Sequence, residues 1–257
     1  MLSIAIAGAV ALTLLSRWVG HMVSFAVGTL LAVAFLDVLP EALARSTNTQ
    51  SMLATLLGGL LLFFVLEKAA LWRHSHGEAG GDTAHNGHAD DSSHHHGHGH
   101  HHHGHGEKGQ STAAMILIGD GFHNFVDGIL IAAAFTADIQ LGIATTTAVI
   151  IHEIPQEIGD FMVLLSSGFG RRQALIWNMI SSLTSVAGGV LGYLLLDKVQ
   201  GAVPHVLAIA AASFIYVAMA DLIPDMQRRW DARVAISQVS LIGAGIAAIA
   251  AMHQLRG

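Results

Sequence analysis

Two short runs hold most of the residues that could do chemistry. The first is Gly119-Asp120-Gly121-Phe122-His123-Asn124-Phe125-Val126-Asp127-Gly128, and the second is Ile151-His152-Glu153-Ile154-Pro155-Gln156-Glu157-Ile158-Gly159-Asp160. On helices, His123 and Asp127 share a face because they are four apart, as do His152 and Gln156, and Glu153 and Glu157. Asn124 and Glu153 each follow a histidine by one position, about 100° further round. Two facing helices could bring His123, Asp127, His152 and Gln156 to one point. Asn124, Asp127, Glu153 and Glu157 could converge on a neighbouring point. Nitrogen and oxygen donors of this kind suit a borderline divalent cation. Pro155 lacks an N–H and leaves the Ile151 carbonyl without its helical donor, a further acceptor at the same level.

Both runs fall in apolar surroundings. Stretches long enough to span a bilayer, about 20 residues, run over 18–44, 52–72, 112–135, 141–165, 173–196, 203–224 and 234–252, and Leu2 to Leu15 reads as a shorter first span rather than a signal peptide. The chain is therefore expected to be all-α, a polytopic membrane protein of eight transmembrane helices. The two chemical runs sit near the midpoints of the fourth and fifth. An ionised side chain at that depth costs about 2.5–3.5 kcal/mol on insertion scales, so such residues mark function. Composition agrees: 53% of the 257 residues are hydrophobic and 12% charged, about half the charged share of a soluble domain. Absence of cysteine excludes disulfides, thiolate metal sites and cysteine catalysis. A net charge of −6 speaks against nucleic acid as a partner, and no G-x-x-x-x-G-K-[ST] run points to nucleotide hydrolysis.

The chain divides into four regions: residues 1–72 with helices one to three, 73–110 as a polar loop, 111–168 with the central fourth and fifth helices, and 169–257 with helices six to eight. Between Arg73 and Lys108 the loop holds thirteen histidines. It lacks apolar residues for a core and is expected to be disordered and to capture metal, through His94, His95, His96, His98, His100, His101, His102, His103 and His105. Nine of the twelve Lys and Arg lie at the odd-numbered loops. The positive-inside rule then puts the His-rich loop in the cytoplasm and both termini outside it. Lack of an ectodomain or leader suggests a bacterial inner membrane.

Internal echoes add an arrangement. His-Asn-x-x-Asp in segment four answers His-Glu-x-x-Gln in segment five. Asp37-Val38-Leu39-Pro40-Glu41 ends segment two, and Asp221-Leu222-Ile223-Pro224-Asp225 ends segment seven. The paired segments run in opposite directions, which implies an inverted repeat arranged 3+2+3. Asp37, Glu41, Asp221 and Asp225 could then gather cations at the two pathway mouths, although Asp-x-x-Pro-acid also ends ordinary helices.

The pair H-N-F-V-D-G (123–128) and H-E-I-P-Q-E-I-G-D (152–160), preceded by a His-rich loop, resembles the ZIP family of divalent metal transporters, in particular the subfamily with H-E-x-P-H-E-x-G-D on its fifth helix. F-A-V-G-T-L-L (25–31) and S-F-I-Y-V-A-M-A-D-L-I-P (213–224) add to the likeness, which covers nearly the whole chain. The resemblance implies a binuclear site between helices four and five, often a homodimer, and zinc, or Fe2+, Mn2+ or Cd2+, moving toward the cytosol; alternating access is the mechanism expected for that movement. It implies one metal on His123, Asp127, His152 and Gln156, and another on Asn124, Asp127 and Glu153, with Gln156 shared. Gln156 departs from the histidine of that subfamily. Two other functions compete. An intramembrane zinc metalloprotease is suggested because His152-Glu153-Ile154-Pro155-Gln156 is one substitution from H-E-x-x-H, but an amide replaces the second histidine poorly. A cation-diffusion-type exporter also uses H-x-x-x-D pairs, yet usually has six spans and a soluble C-terminal domain.

Overall fold

The computed structural model describes residues 18–78, 105–196, 198–227 and 232–254. The expected first span at Leu2 to Leu15 lies outside them, as do His94 to His103. Seven long helices and no strand are present among the described residues. We number them α1 (Trp18–Ala44), α2 (Thr49–Glu78), α3 (His105–Ala137), α4 (Ile139–Ser166), α5 (Arg171–Leu196), α6 (203–227) and α7 (Ala232–Gln254). Six of the seven are long and apolar enough to cross a membrane. The exception is α4. It has 28 residues, but His152, Glu153, Gln156, Glu157 and Asp160 dilute its apolar character. Two helices also outrun their expected spans. α2 continues to Glu78 and α3 begins at His105, so residues 73–78 and 105–110, expected in the loop, are helical. Polar residues such as Glu and Lys propagate a helix well, and the apolar length that spans lipid does not set where a helix must stop.

Burial sorts the helices into layers. The most apolar windows of α1 and α6 are 67% and 61% buried, against 11% for both α2 and α7. α1 and α6 are therefore inner helices, and their small apolar residues Ala26, Val33, Ala34, Ala208, Ala211 and Ala218 join Leu130, Leu141 and Ala148 of α3 and α4 in one core. The outer helices reverse the soluble pattern. On α5, Ser181, Gly188 and Gly192 are buried while Leu183, Val186, Val190 and Leu194 are exposed. Large aliphatics facing outward suit a lipid solvent, and small residues facing inward let backbones approach.

That approach holds the site helices. A Cβ at Gly128 of α3 would collide with the Ser185 carbonyl oxygen of α5, and one at Gly188 would collide with the carbonyl oxygen of Phe125. Thr184 Oγ1 donates across the same seam to the Gly121 carbonyl at 2.6 Å. Gly121, Phe125, Gly128 and Ala132 follow 4-3-4 spacing, which is one helix face. His123 is two positions from Gly121, about 200° round. Seating the small face on α5 thus turns His123 and Asp127 away from it. α3 and α4 are joined by Asp138 alone, whose side chain caps α4 by accepting the Leu141 N–H at 2.8 Å. So short a connection makes the two antiparallel. At the other end of α4, Gly168 adopts φ +90°, and the Gly168 and Phe169 amides donate to the carbonyls of Leu165 and Leu164. This glycine stop returns the chain into α5.

α1 and α6 share a feature that spacing alone does not reveal. Each contains a six-residue π-helical turn, Val33–Val38 and Val217–Leu222. Both turns start with Val-Ala, have aspartate fifth, and are followed by an aliphatic residue and proline. A π turn admits an extra residue, rotating the rest of the helix by about 100° against a continuous α-helix. The same irregularity at the same place in two inner helices supports the internal repeat. The eight-helix 3+2+3 arrangement itself reaches beyond the seven described helices.

Candidate metal centre

His123 and Asp127 project from α3, and His152 and Glu153 from α4, and one ligand atom of each lies within 4.8 Å of all the others. His123 Nε2 is 3.4 Å from His152 Nε2, 3.4 Å from Glu153 Oε1 and 3.9 Å from Asp127 Oδ2. His152 Nε2 is 3.4 Å from Asp127 Oδ2 and 3.3 Å from Glu153 Oε1. Ligands held about 2.0–2.2 Å from a tetrahedral zinc lie about 3.3–3.6 Å from one another. Four of the five separations fall in that range and the fifth slightly exceeds it. The two histidines and two carboxylates therefore lie at separations that suit a shared zinc ion.

The surroundings tune these donors. His152 is 1% exposed and Asp127 fully buried. His152 Nδ1 lies 3.1 Å from the carbonyl oxygen of Ala148, one turn earlier on α4. A donor at Nδ1 leaves the Nε2 lone pair facing the other three groups, the arrangement of a metal-ligating histidine. Both carboxylate oxygens of Asp127 and Glu153 Oε1 are buried without a hydrogen-bond partner. Buried, unsatisfied carboxylates are costly unless a cation compensates them.

Glu153, expected at the neighbouring point, lies with His123, Asp127 and His152. Glu153 joins the two histidines, because glutamate is long enough to reach round the 100° step that separates it from His152. Glu157 meets Asp120 and Glu153 in a second group whose ligand atoms lie within 4.8 Å of one another. Asn124 is buried, and its Nδ2 donates to Asp120 Oδ1 at 3.0 Å. Gln156 Oε1 is buried with no partner. Asp120 was not among the expected ligands, although it precedes Asn124 by one turn on a face already under consideration. Asn178 and Ser182 of α5 also belong to this region. Asn178 Nδ2 donates to the Glu157 carbonyl at 3.0 Å, and the Ser182 hydroxyl donates to Glu157 Oε1. Small polar residues on an apolar helix carry no sequence signal for such a role.

The four acids at the helix ends fare differently. Asp37 is 3% exposed and accepts from His253 Nδ1 of α7 at 2.7 Å, so it is buried rather than open at a mouth. It lies within the π turn Val33–Val38, whose wider period moves it off the face that a 3.6-residue period assigns. Glu41 pairs with Arg45, which also donates to the Ala137 carbonyl at the end of α3. Asp221 is exposed. The side chains of Asp225 and His105 lie outside the described part of the structure.

The fold and site define a many-spanning helical membrane protein with an N2O2 donor set, able to hold a divalent cation, between two antiparallel helices. Comparison with known sequences makes this specific. The sequence profile described as ZIP zinc transporter matches residues 3–253, and the chain belongs to that family. It is similar to zinc transporter ZIP10 of Danio rerio, with 44% identity over 116 residues, 45% of this chain and 14% of the relative. Human zinc transporter ZIP4 is 42% identical over 119 residues, 46% of this chain and 18% of the relative. The metal cation symporter ZIP14 of Bos taurus is 39% identical over 114 residues, 44% of this chain and 23% of the relative. The chain thus spans less than a quarter of the length of these curated relatives.

Proposed function

We propose that this protein carries divalent metal cations, zinc foremost, across the lipid bilayer through the site between α3 and α4. The observation that carries the reading is the set of 3.3–3.9 Å separations among His123 Nε2, His152 Nε2, Asp127 Oδ2 and Glu153 Oε1. The names of the relatives, zinc transporter and metal cation symporter, point the same way. His123, Asp127, His152 and Glu153 replace the water shell of the ion. Asn124 and Gln156 serve a second ion that shares Asp127 and Glu153. The same donor set accepts Fe2+, Mn2+ or Cd2+ with other affinities. Transport proceeds by alternating access, the α3–α4 pair moving against the helices around it. The ion leaves toward the end of the bundle from which residues 79–104 depart, the cytoplasmic end by the distribution of Lys and Arg, and the histidines there capture it.

The protease reading needs Glu153 free to activate a zinc-bound water. Glu153 Oε1 instead lies within 3.4 Å of both imidazoles, as a ligand would. Zinc uptake into proteoliposomes tests the proposal. His123→Ala or Asp127→Ala lowers the flux at least tenfold in protein that still elutes as a single species. Wild-type flux in either variant overturns the site assignment.

A further inference from the structure

We propose a separate, all-oxygen cation station at Asp120, Glu153 and Glu157, which receives the ion from the histidine site on its way out. The inference rests on the transport reading above and adds a place in the path that the histidine set and its neighbouring Asn124 and Gln156 do not supply.

Three observations carry it. One ligand atom each of Asp120, Glu153 and Glu157 lies within 4.8 Å of the other two. Asp120 is 8% exposed, its Oδ1 accepts from Asn124, and its Oδ2 is buried with no hydrogen-bond partner. Glu157 is oriented from outside the cluster, since Ser182 of α5 donates to its Oε1 and Asn178 anchors its backbone carbonyl at 3.0 Å. Carboxylates alone, with no nitrogen donor, suit hard cations such as Mn2+ and bind zinc less selectively than an imidazole pair.

Position gives the station its direction. α3 and α4 are antiparallel. Asp120 is one turn before His123 on the first, and Glu157 one turn after Glu153 on the second. Both are therefore displaced toward the same end, the one at which α2 and α4 finish and α3 begins. Glu153 belongs to both groups, so a rotation of one side chain passes the ion on while keeping it coordinated. Asp160 continues the series. Glu153, Glu157 and Asp160, spaced 4 and 3, form a stripe along one face of α4.

The test uses the full-length chain with Mn2+ and Zn2+ as probes. In a His123→Ala/His152→Ala background, Mn2+ titrated by electron paramagnetic resonance is expected to bind still, and adding Asp120→Asn or Glu157→Gln to weaken that binding at least tenfold. Both substitutions keep the acceptor oxygens used by Asn124 and Ser182, and a single elution peak establishes folding. In the otherwise wild-type chain, the same two substitutions are expected to lower zinc flux at least tenfold. Mn2+ binding indifferent to both substitutions, or zinc flux unchanged by both, would overturn the station. A wild-type chain that moves no zinc would instead overturn the transport reading, and the Mn2+ titration would still decide whether the carboxylates bind a cation.

Discussion

At the scale of single residues, Glu153 links the two donor groups, since it belongs to both. Four-residue spacing put His123 with Asp127 and singled out His152, and those three do meet. Glu153 joins them because a long side chain ignores the 100° step of the backbone, and Asp120 emerges only when both helices are in place. Gln156 is the informative position. Its Oε1 is buried without a partner, and a neutral amide is a weaker zinc ligand than an imidazole. Gln156→His is therefore expected to tighten zinc binding severalfold, measured by equilibrium titration of protein lacking residues 79–104 so that the histidines there do not mask the change. Unchanged affinity would show that position 156 does not reach the ion.

At the scale of elements, long apolar runs located seven helices, since spanning lipid demands them, while α2 and α3 extend beyond their expected ends to Glu78 and His105. Those runs did not reveal the π turns of α1 and α6, because one inserted residue leaves an all-apolar stretch apolar. Asp37 shows the consequence: expected at a mouth, it is buried against His253. The seam between α3 and α5 is where a single substitution should do most harm. A side chain at Gly188 would meet the Phe125 carbonyl oxygen, so Gly188→Val forces apart the helix that carries His123 and Asp127 and the one that supports it. Overpacking of this kind costs about 1–3 kcal/mol. A lower thermal midpoint and reduced zinc flux are expected together. A variant with unchanged midpoint and flux would mean that the seam does not position the site.

At the scale of the molecule, layering explains why the site is where it is. α1 and α6 fill the interior with small residues and matching π turns, and α2, α5 and α7 present large aliphatics outward. The α3–α4 pair brings its polar faces together, with Asp127 and His152 buried and Glu153 and Glu157 partly so. The sequence echoes at Asp-x-x-Pro coincide with the matching π turns of α1 and α6. They could not specify the packing of α3 on α5, which depends on glycine contacts between segments far apart in the chain. His123, Asp127, His152 and Glu153 all stand on α3 and α4, so deletion of residues 79–104 is expected to leave zinc flux within about threefold of wild type in proteoliposomes, on the view that low-complexity metal-binding segments act outside the translocation step. Loss of all flux would place those residues in the path.

X-ray absorption of the zinc-loaded chain lacking residues 79–104 tests the central claim most directly. The geometry calls for nitrogen and oxygen ligands at about 2.0–2.2 Å, with imidazole scattering that disappears in His123→Ala/His152→Ala. A zinc shell without imidazole, or one untouched by the double substitution, would contradict the account.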